Sequence, residues 1–308
     1  MIKETVPQKS IGYYSLLGFQ REPFSTSPDP EFFYHTAEHD RALTNLLIEL
    51  RLRRGLSVVF GDVGTGKTTL CRKLLHELNK RGDMLFHMIL DPAFGSEEQF
   101  LLSLIRNFDV PVAKDVDLKQ CDLLELKDIM EAFLIRQTLE KNRTIVLLID
   151  EAQKLDLGAL ETLRILLNFE TNSHKLIQLV LLGQLELYGK VIHMDNFMDR
   201  ISFKFTLNPL DVHETADLIN FRMIRAGYRG DHHLFLRDAV SEIYNATQGY
   251  PRKINMLCHK ILKELVMANR ESADGDFVRA VLAKDQEWLH ESGLGLYDRK
   301  KQIEKNLK

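Results

Sequence analysis

The sequence predicts an α/β domain on a five-stranded, doubly wound parallel sheet, followed by a small all-helical domain. Three observations carry this. Short β-rich runs alternate with longer segments of helical apolar spacing through the first two thirds of the chain. A glycine-rich turn of the form G-x-x-x-x-G-K-[ST] directly follows the first run and opens the next helical segment. After Pro209 the strand signals stop.

The strand runs are 56–60, 84–90, 144–149, 176–182 and 202–207, and several are almost continuously apolar, as strands covered on both faces should be. Helical spacing occupies 37–54, 67–81, 97–107, 123–141 and 157–170. Asn208-Pro209-Leu210 supplies a break, because proline disfavours a helical conformation in the residue before it. Beyond it, 211–226, 236–247, 251–269 and 274–288 read as four helices. The expected organisation is an N-terminal segment (1–36), the α/β core (37–209), a helical lid domain (210–290) and a basic tail (291–308).

With 308 residues, 44% hydrophobic and 28% charged, the chain reads as an ordinary folded protein rather than a disordered or fibrous one. A net charge of −3 excludes whole-chain electrostatic binding to nucleic acid, so any DNA contact must be local. Cys71, Cys121 and Cys258 form an odd count without C-x-x-C spacing, which disfavours a disulfide framework or zinc site and fits a reducing, cytoplasmic setting. The first residues lack the apolar core of a secretory signal, and no apolar run approaches the roughly 20 residues of a membrane span.

The turn Gly61-Asp62-Val63-Gly64-Thr65-Gly66-Lys67-Thr68, continued by Thr69, is a Walker A P-loop in the right context. Amide groups at the start of a helix have no helical partners and lie at the positive end of its dipole, so they suit a polyphosphate. Lys67 is expected at the β- and γ-phosphates, and the Thr68 hydroxyl at magnesium (Mg²⁺). The second half of such a site is an acid at the tip of a buried strand, and Ile145 to Ile149 followed by Asp150-Glu151 has that form. Asp150 is the expected partner of the metal. Glu151 is placed to activate the water that attacks the γ-phosphate of ATP.

Adjacent Asp-Glu, a further strand and a helical lid together point to a P-loop NTPase of the AAA+ class. More narrowly, the sequence resembles the ATPase domain of the general secretion pathway protein A (ExeA-like) family. The resemblance spans about residues 13 to 270. It rests on the segment from Tyr14 to Pro30, the P-loop, Ile149-Asp-Glu-Ala-Gln153, the stretch from Leu163 to Thr171, Leu182-Gly-Gln184 and Gly249-Tyr-Pro-Arg-Lys-Ile-Asn255. Related ATPases of the same clan assist DNA transposition.

This resemblance implies further roles. Gln184 looks like the polar sensor between Walker B and the attacking water, the alternative being a cap on the next helix. Arg252 looks like the lid arginine that senses the γ-phosphate, a task suited to a permanently charged planar donor. Arg200 looks like an arginine finger directed at a neighbouring subunit's ATP, with a surface ion pair to Asp199 or Asp195 as the bland alternative and Arg164 as a rival finger. A homo-oligomer, ring or filament, follows if the finger acts in trans. The segment with Pro23, Phe24, Pro28, Pro30, Phe32, Phe33 and Tyr34 either packs across the nucleotide base or plugs the core.

The implied function is an ATP-hydrolysing ATPase whose assembly drives or regulates an envelope secretion or export machine. The alternative is an ATP-dependent DNA-binding assembly factor of the transposition type. Arg51, Arg53, Arg54, Arg72, Lys73, Lys80 and Arg81 are the candidate phosphate contacts for that alternative, although such residues commonly form a solvated face. Secretion members of the family continue into a membrane span and a peptidoglycan-binding region that have no counterpart in this sequence. The chain is therefore expected to be the ATPase module alone, or a cytoplasmic relative peripheral to the inner membrane through a partner.

Overall fold

The computed structural model describes residues 12–25, 29–114, 116–172, 174–230 and 232–291. In chain order the elements are α1 (Tyr13–Leu16), α2 (Ala37–Leu52), β1 (Leu56–Gly61), α3 (Lys67–Asn79), β2 (Met84–Ile89), α4 (Glu97–Asn107), α5 (Leu123–Ile135), β3 (Thr144–Ile149), α6 (Leu157–Leu166), β4 (Ile177–Gly183), α7 (Leu185–Val191), α8 (Asp195–Met198), β5 (Ile201–Leu207), α9 (Val212–Arg225), α10 (Arg237–Thr247), α11 (Pro251–Met267) and α12 (Gly275–Glu291). They fall into two compact units, His35–Asn208 and a second made of Met1–Tyr34 with Pro209–Lys308.

The first unit is a five-stranded parallel sheet in the order β2-β3-β4-β1-β5. Successive side chains of a strand point to opposite faces, so the apolar runs feed two cores. Val58, Phe60, Leu147, Ile149, Leu179 and Leu181 pack with α4, α5 and α6. Val59, Val146, Leu148, Val180 and Leu182 pack with α2 and α3. β1, β3 and β4 are wholly buried, whereas the edge strand β5 alternates in burial along its length.

Side-chain caps open α2, α4, α5 and α6. The side chains of Thr36, Ser96, Asp122 and Asp156 accept hydrogen bonds from amides in the first turns of α2, α4, α5 and α6. Asp122 and Glu125 form a reciprocal capping box. The helix expected to run to 141 changes after Ile135 into a π-helical turn, Arg136–Glu140, which turns Gln137 and Thr138 inward.

In the second unit α9, α10, α11 and α12 pack around Leu218, Ile243, Ile254, Cys258, Ile261 and Val278. The N-terminal segment belongs to this core. Phe19, Phe24 and Phe32 are buried in it, and the buried Arg222 of α9 donates to the carbonyls of Pro23 at 2.7 Å, Ser25 at 2.9 Å and Phe32 at 3.4 Å. The expected boundary between 36 and 37 thus falls between 34 and 35, and the segment is not a separate piece. Of the two readings of this aromatic segment, a cover on the nucleotide base or a plug in the core, Phe24 and Phe32 follow the second, and burying them in the helical core stabilises by about 1.5–3 kcal/mol each. Pro28 and the basic tail beyond residue 291 lie outside the described residues.

Candidate active site

The P-loop is held at its end by Gly66, which has φ 100° and caps α3 without a side chain. A Cβ at this position would lie 2.6 Å from Nε2 of His39. The following Lys67 is only 5% exposed, and its ammonium donates to the carbonyls of Gly61 at 2.9 Å and Asp62 at 3.0 Å. Burial pushes the Lys67 ammonium below the ordinary lysine range, while Glu151, Asp150, Asp62 and Glu186 act in the opposite direction. Four carboxylates therefore act through space on one buried cation.

Strand order brings the second motif to the first. β4 lies between β1 and β3, pairing Gly183 with Phe60 on one side and Leu181 with Ile149 on the other. The residue leaving β4 is Gln184, between the P-loop strand and the strand that leads into Asp150. Asp150 is buried, and the Thr68 hydroxyl donates to its Oδ2 at 2.7 Å while the Glu151 amide donates to its Oδ1 at 2.9 Å. A hydroxyl and a carboxylate this close are hard oxygen donors of the kind Mg²⁺ takes, so the residues fit that ion. Glu151 stands at φ 52°, in the left-handed region, which is costly for a side chain of this kind and is common at functional sites.

Gln184 occupies the N-cap position of α7, yet its side chain makes no capping hydrogen bond. Arg200 donates to the Asn196 carbonyl at 2.5 Å and to Asn168 Oδ1 just beyond α6, leaving its buried Nε without a partner. Arg164 instead grips Glu161 through Nε at 2.8 Å and a second nitrogen at 2.5 Å. Arg252 stands exposed at the second position of α11, in the helical unit. Of the basic stretch before β1, Arg53 is used internally: it donates to Thr144 Oγ1 at 3.0 Å and Asn142 Oδ1 at 3.2 Å.

Three residues of the site were not assigned from the sequence. His39 Nε2 lies 3.3 Å from the Thr65 carbonyl and its Nδ1 2.6 Å from Thr36 Oγ1. A carbonyl only accepts, so the ring proton sits on Nε2 and the threonine hydroxyl donates to Nδ1. Lys190 of α7 donates to the carbonyls of Gln153 and Leu155 at 2.6 and 2.7 Å. Gln153 lies inside the quoted Asp-Glu-Ala-Gln motif, the one signal that pointed toward it, and hydrogen-bonds both Glu151 and the amide of Gln184.

A P-loop after β1, an acidic pair after β3 and a polar residue after the strand between them define a class: the fold is that of the AAA+ P-loop NTPases. Residues 50–191 match the AAA domain family. Within that class the chain is similar to General secretion pathway protein A of Aeromonas hydrophila, at 34% identity over 252 residues, covering 81% of this chain and 44% of the relative. The chain thus spans less than half of that protein's length. Solved structures agree in fold. The Drosophila ORC bound to DNA has a TM-score of 0.62 at 18% identity, covering 92% of this chain and 69% of that one. The Aeropyrum pernix ORC2 protein, solved as ADPNP–ADP complexes, has a TM-score of 0.58 at 16% identity over 86% of this chain and 71% of that one. The Thermotoga maritima RuvB Holliday junction branch migration motor has a TM-score of 0.51 at 16% identity, covering 79% and 68%. Among the described residues no helix is long and apolar enough to cross a membrane.

Proposed function

We propose that this chain binds and hydrolyses ATP, with turnover completed by assembly of several copies, and that this cycle serves an envelope secretion or export machine. The observation that carries the ATPase reading is the 2.7 Å contact between Thr68 and Asp150, which joins the two halves of the site beside Glu151. The P-loop amides and Lys67 grip the triphosphate, Thr68 and Asp150 hold Mg²⁺, and Glu151 takes the proton of the attacking water. Bound Mg²⁺ supplies positive charge to the phosphate oxygens. Gln184 orients the water, and Arg252 reports the γ-phosphate to the helical unit.

Arg200 is the freer of the two candidate fingers. Arg164 is held in a two-point grip on Glu161, which would have to be broken, whereas the hydrogen bonds Arg200 makes go to neutral oxygens and Glu161 and Glu170 act on it only through space. The secretion assignment rests on the similarity to General secretion pathway protein A. Phosphate release is the test of the chemistry. Lys67→Ala should abolish nucleotide binding, and Glu151→Gln should keep ATP bound while kcat falls by about 10²–10⁴-fold. Undiminished turnover in the Glu151 variant removes that residue from its role. Mixing Arg200→Ala with Lys67→Ala protein should restore activity, since each supplies what the other lacks. ATP-dependent duplex binding that weakens with salt would move the reading to the DNA-assembly alternative.

A further inference from the structure

Gln153 uses both ends of its carboxamide inside the site. Its Nε2 donates to Glu151 Oε2 at 2.7 Å, and its Oε1 accepts the backbone amide of Gln184 at 3.1 Å. These partners leave different strands, Glu151 after β3 and Gln184 after β4, so one planar group bridges the two strand ends. The bridge has little slack. Lys190 ties the Gln153 and Leu155 carbonyls to α7, and a Cβ on Gly183 would come 3.4 Å from the Gln153 amide nitrogen and 2.9 Å from Leu187. The Glu151 backbone is meanwhile fixed at φ 52°.

We propose that Gln153 is a positioning residue that holds the Glu151 carboxylate and links it to the turn carrying Gln184. A shift of that turn on contact with the γ-phosphate is then passed to the base. With Oε2 occupied by the amide, Oε1 is left to face water. Glutamine suits this task because it offers a donor to the carboxylate and an acceptor to the amide in one rigid plane, and ionised glutamate has no donor to offer. The inference rests on the reading of Glu151 as the base in ATP hydrolysis.

Steady-state kinetics on the full chain test it together with nucleotide affinity and nuclear magnetic resonance. Gln153→Ala and the nearly isosteric Gln153→Glu should each lower kcat by about tenfold or more, a fraction of what a general base supplies, with KM and ATP Kd kept within about twofold. Adding Gln153→Ala to Glu151→Gln should cost nothing further, because a residue acting through Glu151 has no effect without it. In the nucleotide-free protein, the Gln153 side-chain amide signal should move toward its solvent-exposed position in Glu151→Ala. That last measurement requires no change at Gln153, so it decides even where Gln153→Ala does not fold.

Wild-type kcat in both Gln153 variants overturns the proposal, as does a loss confined to ATP affinity, an additive double variant or an unmoved amide signal. Turnover by the wild type together with any of these sinks this inference alone. Absence of turnover in the assembled wild type sinks the ATPase reading and this inference with it.

Discussion

Replacing Gly66 by alanine tests whether the P-loop is built against His39. At φ 100° a side chain costs about 1–2 kcal/mol. The new Cβ would also stand 2.6 Å from His39 Nε2 and within 3.6 Å of two ring carbons. The ring cannot easily give way, because it is buried and its Nδ1 lies 2.6 Å from the Thr36 hydroxyl. Displacing it breaks the contact with the Thr65 carbonyl and strands buried polar groups, at about 1–3 kcal/mol. The expected loss is therefore about 2–5 kcal/mol. Hydrogen exchange at the amides of β1, in increasing denaturant, reports the stability of the α/β unit. His39→Ala in the Gly66→Ala background should remove the collision and leave only the backbone strain. The two changes should then couple by roughly 1–3 kcal/mol, the cost of the collision. Strict additivity, or a Gly66→Ala protein within about 0.5 kcal/mol of wild type, would refute the idea that this histidine backs the loop.

Gly249, in the Gly-Tyr-Pro-Arg run, has φ 72°, and a Cβ there would lie 1.9 Å from the Leu210 carbonyl oxygen. Gly249→Ala should destabilise the helical unit by about 2–4 kcal/mol, read as a lowered unfolding midpoint, whereas Gly189→Ala, where nothing lies within 4 Å, should stabilise α7 by about 0.4–1 kcal/mol. Equal midpoints for the two variants would contradict this account. Stability should also depend on pH through His39, whose pKa is lowered chiefly by burial, with the Thr65 carbonyl partly opposing. The unfolded chain takes up a proton near pH 6.5 that the folded ring refuses, so stability is full above that pH and falls as pH drops below it. His35, His87 and His174 shift in the same direction, so the measurement is the reduction in slope on His39→Gln; an unchanged slope would assign the effect to those residues.

The strands were legible because their apolar runs are nearly unbroken, and β3 falls at 144–149 as expected. Helix ends are less legible: the helix expected to run to 170 stops at Leu166, and the one expected to stop at 288 runs to Glu291. The short helices α7 and α8 went unread, since a few residues cannot display helical periodicity. Nothing between 123 and 141 announced the π-helical turn, in which the polar Gln137 and Thr138 are buried. Periodicity also cannot say which core a buried ring joins, and so the sequence leaves Phe24 and Phe32 between the nucleotide base and a core plug, while the fold buries them against α9 and its neighbours. The same limit applies within the site. Lys67, Thr68, Asp150 and Glu151 were visible because their residue types sit in fixed local patterns. His39, Gln153 and Lys190 act on groups 26, 31 and 37 residues away, and only the folded chain brings them there.

The charges around Lys67 set a condition that the motifs alone do not state. Glu151, Asp150, Asp62 and Glu186 all act on its ammonium, and that ammonium already donates to two P-loop carbonyls. A triphosphate brings further negative charge into the same buried space, where Coulomb repulsion is screened far less than in water. One lysine and a set of backbone amides cannot offset both the carboxylates and the phosphates, so affinity should depend on a divalent cation between Asp150 and the nucleotide. Chelating Mg²⁺ should weaken ATP binding by at least about tenfold, or roughly 1.4 kcal/mol, as measured by calorimetry on the wild type. Asp150→Asn removes one of the repelling charges together with the cation's partner, so its ATP affinity should be less sensitive to chelation. Equal sensitivity in the two proteins would show that the metal is held elsewhere and that the Thr68–Asp150 contact is only structural.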